Sequence, residues 1–180
     1  MLQIVIPPGE LFDERTQSFI NSKEQVLQLE HSLVSLSKWE SKWKKPFLST
    51  TEKSFEESID YIRCMTITQN VDPIVYLNIN NDIIKQVTEY IDRPMTATTF
   101  KNDNNRGHSY EIITAEIIYY WMISYGIPFE CQRWHLNRLL TLIRVCSIKS
   151  QPPKKMGRSE LANRNRSVNA ARRSRLHTKG

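Results

Sequence analysis

The sequence predicts a mainly α fold with a small N-terminal β element, an α+β chain with a central helical hairpin and a basic, flexible C-terminal tail. Three observations carry that expectation. Residues 109–146 hold the densest run of apolar and aromatic side chains, spaced at a helical period. Short β-branched and aromatic runs precede the first helical spacing, between Gln3 and Leu29. After Cys146 the apolar residues thin out and cations accumulate.

The first arm of the hairpin carries Ile112, Ile113, Ala115, Ile117, Ile118, Trp121 and Met122. They fall almost all round a period of roughly 3.6 residues, as in a helix enclosed by its neighbours. Ser109 suits the N-cap, Gly126 can take the left-handed conformation that closes a helix, and Pro128 forbids continuation. The second arm is expected to begin near Glu130. Its Leu136, Leu139, Leu140, Ile143 and Cys146 make one apolar stripe, with Arg133, Asn137, Thr141 and Arg144 on the other face.

Upstream, Gln3–Ile6 ends at Pro7-Pro8-Gly9, and the pairs Leu11/Phe12 and Phe19/Ile20 flank a polar Asp13-Glu14-Arg15, which predicts a small hairpin or meander. Between Lys23 and Trp43 the pattern passes from strand to helix near Ser32. Trp39 and Trp43 are one helical turn apart, so both indoles share a face while Lys42 between them points outward. Ser54 followed by Glu57 is a capping box, predicting a helix from Phe55 to Met65. Asp72-Pro73 opens a short turn, and Asn81 is expected to cap a helix that carries Ile84, Val87, Tyr90 and Ile91 and stops before Pro94. Residues 95–100, MTATTF, are rich enough in threonine to form a strand, and the polar loop KNDNNRGHS follows.

The 180 residues suit one globular domain, residues 1–150, and an appendage, residues 151–180, beginning at the linker prolines Pro152-Pro153. The net charge of +6 is unevenly placed. Residues 151–180 hold nine Lys or Arg against the single acid Glu160, so the domain itself is slightly negative. Three cysteines without paired short spacings argue against a disulfide framework, and Cys131 with His135 supplies two of the three or four ligands a zinc site needs. No catalytic set, metal or cofactor is expected: there is no paired-carboxylate or nucleophile motif, and no glycine-rich phosphate loop. No apolar run approaches the roughly 18 residues of a membrane span, and MLQIVIPPGE lacks the features of an export signal, so a cytoplasmic protein is expected.

The blocks SKWESKWKKPFLS (37–49), MTATTF (95–100), EIITAEIIYYWMI (111–123), IPFECQRWHLNRLLTLIRVC (127–146) and PPKKMGRSELANRNRSVNAARR (152–173) resemble proteins encoded among the tail genes of long-tailed bacteriophages. Those proteins are grouped with tail assembly chaperones, which escort the tape measure protein while the tail tube polymerises. The resemblance implies a non-enzymatic role in the host cytoplasm, with the tape measure protein as partner and self-association on it, and it brings no established functional residues. From the residues themselves, Trp39, Trp43 and Trp134 are the candidate partner-binding positions. The basic tail, Lys154, Lys155, Arg158, Arg164, Arg166, Arg172, Arg173 and Arg175, suits an acidic client or nucleic acid. Two alternatives stand beside the chaperone. One is a virion structural protein of head, neck or tail whose basic arm is ordered by neighbours or DNA; the other is a nucleic-acid-binding protein.

Overall fold

A computed structural model of the chain describes residues 1–13, 17–50, 52–100, 112–152 and 157–177. Four strands come first: β1 (Leu2–Ile6), β2 (Gly9–Asp13), β3 (Ser18–Ser22) and β4 (Gln25–Leu29). β1 pairs antiparallel with β4, from Leu2↔Leu29 to Ile6↔Gln25, and β2 with β3, from Gly9↔Ser22 to Asp13↔Ser18. The register carries through from one pair to the next, making one long hairpin whose ladder lapses where Pro7 and Pro8 have no N–H to donate. Alternation turns Ile4, Ile6, Leu27 and Leu29 into the core and leaves Val5 and Val26 outside.

Helix α1 (Leu33–Trp43) starts at Ser32, as the sequence predicts. The cap is reciprocal: Ser35 N–H donates to Ser32 Oγ at 3.3 Å, and Ser32 N–H to Ser35 Oγ at 2.9 Å. α1 buries Leu33, Leu36 and Trp39 and packs along α2 (Phe55–Met65), along α4 (Ala115–Ser124) and against the 3₁₀ turn Phe129–Arg133. α2 spans the predicted residues, with both bonds of the Ser54–Glu57 box made. The 3₁₀ turn Pro73–Asn78 opens on Asp72, whose Oδ1 accepts from Ile74 N–H. α3 (Asn81–Asp92) is capped by Asn80 rather than Asn81: Asn80 Oδ1 accepts from Ile83 N–H at 2.9 Å, which makes Asn81 the first helical residue.

Both helices of the predicted hairpin form, with shifted boundaries, but they do not pack along each other as the expected hairpin requires; the first packs along α1 instead. α4 begins after Thr114, and Ser109 lies outside the described residues. It closes as predicted: Gly126 has φ 63°, and Ile127 N–H reaches back to Met122 O at 2.8 Å. It is not enclosed, however. Ala115, Ile118 and Met122 are buried and Trp121 is half-buried, but Tyr120 and Ile123 face solvent. The second arm, α5 (Leu136–Ser150), starts six residues later than Glu130. Residues 129–133 wind into the 3₁₀ turn instead. His135 then pairs with Ser32 as an isolated antiparallel bridge, and Leu136 N–H donates to His31 O at 2.7 Å, which holds the chain extended before α5. Residues 95–100 form no strand. Met95 takes φ 49°, which breaks an extended run, and Thr98 N–H turns locally to Thr96 Oγ1.

The chain divides into two units, Met1–Ser147 and Ile148–Gly180, close to the expected boundary at 150. The first holds the core. The second contains α6 (Arg158–Leu176), so this part of the basic tail is helical where a flexible segment or a marginal helix is expected, and its described side chains are all exposed. Among the described residues no helix is long and apolar enough to cross a membrane.

Candidate interaction surface

The predicted tryptophans separate by depth. Trp39 is 0% exposed. Its indole lies edge-on to Phe47 at 5.1 Å, and Nε1–H donates to Glu57 O at 2.9 Å, so it fastens α1 to α2 from inside and presents nothing to a partner. Trp43 shares that face, as the one-turn spacing requires, with ring centroids 6.2 Å apart. It is half-buried, and Nε1–H donates to Asp60 Oδ2 at 2.9 Å, while Lys42 pairs with the other oxygen of the same carboxylate. Lys45 similarly pairs with Glu57, and this hydrogen bond, seconded by Ser54 N–H, holds the Glu57 carboxyl below the usual range. The face around Trp43 is therefore a seam between two helices. Trp134 is half-buried beneath the Arg138 guanidinium, 4.1 Å from the ring centre.

A different apolar set is exposed. Tyr120 is 66%, Ile123 64% and Phe129 54% exposed. Tyr119, one turn before Ile123, has its ring 6.4 Å from that of Phe129 and donates its hydroxyl to Gln132 Oε1 at 2.9 Å, which links the helix to the turn beneath it. Apolar residues all round α4 conceal this face from a reading by periodicity. The available signal is polar: Glu116 and Ser124 lie one turn to either side of Tyr120, marking that stripe as wet.

The core behind these surfaces contains a buried polar chain. His31 and His135 stack edge to face at 5.1 Å, and His31 Nδ1 shares a 2.5 Å hydrogen bond with the Tyr61 hydroxyl. His135 accepts from Asn137 N–H at Nδ1 and donates from Nε2 to Tyr90 O, which makes it the neutral Nε2–H tautomer. Tyr90 in turn donates to Glu30 Oε1 at 2.7 Å, and Glu30 Oε2 meets the N-terminal ammonium at 3.0 Å. Burial first, and the neighbouring His135 second, lower the His31 pKa to about 3; burial also lowers that of His135. Both imidazoles are thus held neutral, joining the entrance of α1 to that of α5.

Other reactive groups are quiet. Burial pushes the Cys64 thiol up to about 11, away from the thiolate a nucleophile requires. Cys131 is buried within the 3₁₀ turn Phe129–Arg133 and not one α-helical turn from His135, and among the described residues no three His, Cys, Asp or Glu side chains converge as a metal site would need. A cleft of about 290 Å³ between α2 and α3 is lined by Phe47, Lys53, Tyr61, Val87 and Ile91. Lys53 Nζ sits 4.2 Å from the centre of the Phe47 ring and donates to Thr50 O. Comparison of the chain with protein-family models, curated proteins and solved structures finds no match. Its own surfaces must then supply a function.

Of the basic residues, Arg158, Arg164, Arg166, Arg172, Arg173 and Arg175 lie on α6, exposed, while Lys154 and Lys155 lie outside the described residues. Two surfaces result, one apolar on the folded unit and one cationic on the terminal helix.

Proposed function

We propose that the chain is a non-enzymatic tail assembly chaperone of a long-tailed bacteriophage, binding the tape measure protein in the host cytoplasm during tail morphogenesis. One observation supports this most directly: Tyr120 and Ile123 are displayed on a helix whose opposite face, Ala115, Ile118 and Met122, is anchored in the core, and Phe129 is exposed on the 3₁₀ turn that follows it. An aromatic and aliphatic ridge on an anchored helix and turn suits the apolar row of a long helical client, because Tyr and Phe side chains have few rotatable bonds to fix on docking. The tryptophan pair does not serve this purpose, Trp39 being interior.

Co-expression with a tape measure fragment tests the reading. Replacing Tyr120, Ile123 and Phe129 together with serine should leave the melting temperature nearly unchanged and reduce client capture by at least about tenfold. Trp39→Ala should instead unfold the protein, at a cost of roughly 3 to 5 kcal/mol. Full capture by the triple variant, or the protein in fixed copy number in purified virions by mass spectrometry, would replace the chaperone with a structural component.

A further inference from the structure

The apolar ridge leaves α6 without a role, and its composition is unusual for a helix that buries nothing. It carries six arginines, no lysine and the single acid Glu160. Leu161, Val168 and Leu176 are its large apolar side chains, all exposed and too few for a protein-binding stripe. At about 100° per residue, Arg164 and Arg175 fall on one flank and Arg166 and Arg173 on the other, roughly 180° away, with Arg158 and Arg172 between them. Asn165 and Asn169, one turn apart, run along the middle of this cationic arc. Ser159, Asn163, Ser167, Ala170 and Ser174 make the uncharged back.

Cations on two opposite flanks fit a partner with negative walls on both sides. A flat acidic protein surface meets Arg158 and Arg172 at the middle of the arc and leaves the four flanking arginines at its margins. From this juxtaposition we infer that α6 is a groove-binding helix for duplex DNA. The B-form major groove, about 12 Å wide, admits a helix of about 10 to 12 Å diameter with a phosphate backbone along each wall. Guanidinium groups match phosphate oxygens bidentately, which suits arginine rather than lysine. The flanking arginines then take the two backbones, and Asn165 and Asn169 face the base edges, where an asparagine amide pairs with adenine. Duplex RNA is the poorer fit, since its major groove is too deep and narrow for a helix. Binding also neutralises the like charges along α6, so DNA should raise its helicity.

The test uses the full chain and a labelled duplex DNA of about 20 base pairs, followed by fluorescence anisotropy at roughly 50 and 200 mM salt. Affinity should fall roughly 10³-fold across that range, and the far-ultraviolet helical signal should rise on binding. Arg164→Ala, Arg166→Ala, Arg173→Ala and Arg175→Ala combined should lower the salt slope by about four. Asn165→Ala with Asn169→Ala should keep the slope but lose the enrichment of any sequence from a random duplex pool. Val168→Pro keeps every cation and breaks the helix, so it should bind at least about tenfold more weakly. No binding at the lower salt, equal affinity for duplex RNA or polyglutamate, or undiminished binding by Val168→Pro would each overturn the inference. None of these outcomes bears on client capture by the apolar ridge.

Discussion

At the scale of single residues, His31 shows how burial becomes a measurable dependence on pH. The imidazole is 1% exposed and bonded to the Tyr61 hydroxyl, and its folded pKa of about 3 lies below the ordinary 6.5. The unfolded chain therefore binds a proton between those values that the folded chain refuses. Stability is complete above about pH 6.5 and declines as the pH falls toward 3, by about 1.4 kcal/mol per unit from His31 alone, with His135 acting in the same direction. Urea unfolding at about pH 7 and about pH 4.5 should show this loss, and His31→Asn, which has no proton to gain, should flatten it; identical pH slopes for the two proteins would remove His31 as the cause. None of this is legible from sequence, where His31 is one polar residue before a cap. Trp39 and Trp43 are legible in part. Their spacing gives the shared direction, but which neighbours cover that direction depends on α2 arriving from 18 residues away to take the Trp39 N–H.

Among elements, local chemistry was readable and remote chemistry was not. Ser32, the Ser54–Glu57 box and Gly126 end or begin helices through bonds to residues within one turn or so, and a local pattern contains all the parties. Asn80 and Asn81 are equally good caps by type, so a one-residue error there is natural. MTATTF has strand-forming residues, but a strand also needs a partner edge, and propensity does not supply one. The start of α4 shows the limit best. Thr114 makes no side-chain cap bond; Ala115 N–H donates instead to Glu40 Oε2 at 2.8 Å, while Oε1 of the same carboxylate accepts from Phe47 N–H at 2.8 Å. One buried acid on α1 thereby caps a helix 75 residues later and secures the turn after α1. Glu40→Ala should strand both donors and cost about 2 to 4 kcal/mol, with Glu40→Gln intermediate, because buried N–H groups without acceptors pay their full desolvation. Hydrogen exchange at Ala115 and Phe47 should quicken in both variants. A change under about 0.5 kcal/mol for Glu40→Ala would mean that water or another acceptor satisfies them.

For the whole molecule, the separation into Met1–Ser147 and Ile148–Gly180 predicts that the two proposed surfaces can be parted by a single cut. Among the described residues the buried apolar ones, from Ile4 to Ile143, all precede it, whereas the side chains of α6 are exposed. A helix that buries nothing contributes little beyond its own marginal propensity, since its ordering entropy is not offset by burial. A chain ended after Gln151 should therefore melt within about 2 °C of the full protein, whereas loss of a core element worth even 2 kcal/mol would shift the midpoint by roughly 4 to 8 °C in a unit of this size. The truncated chain retains Tyr120, Ile123 and Phe129 and should capture a tape measure fragment as the full chain does, while losing salt-sensitive DNA binding entirely. A large fall in melting temperature would place α6 in the fold and undo the division. Client capture lost with stability intact would instead put the partner's binding site on the arginine helix, leaving the ridge on α4 without an occupant.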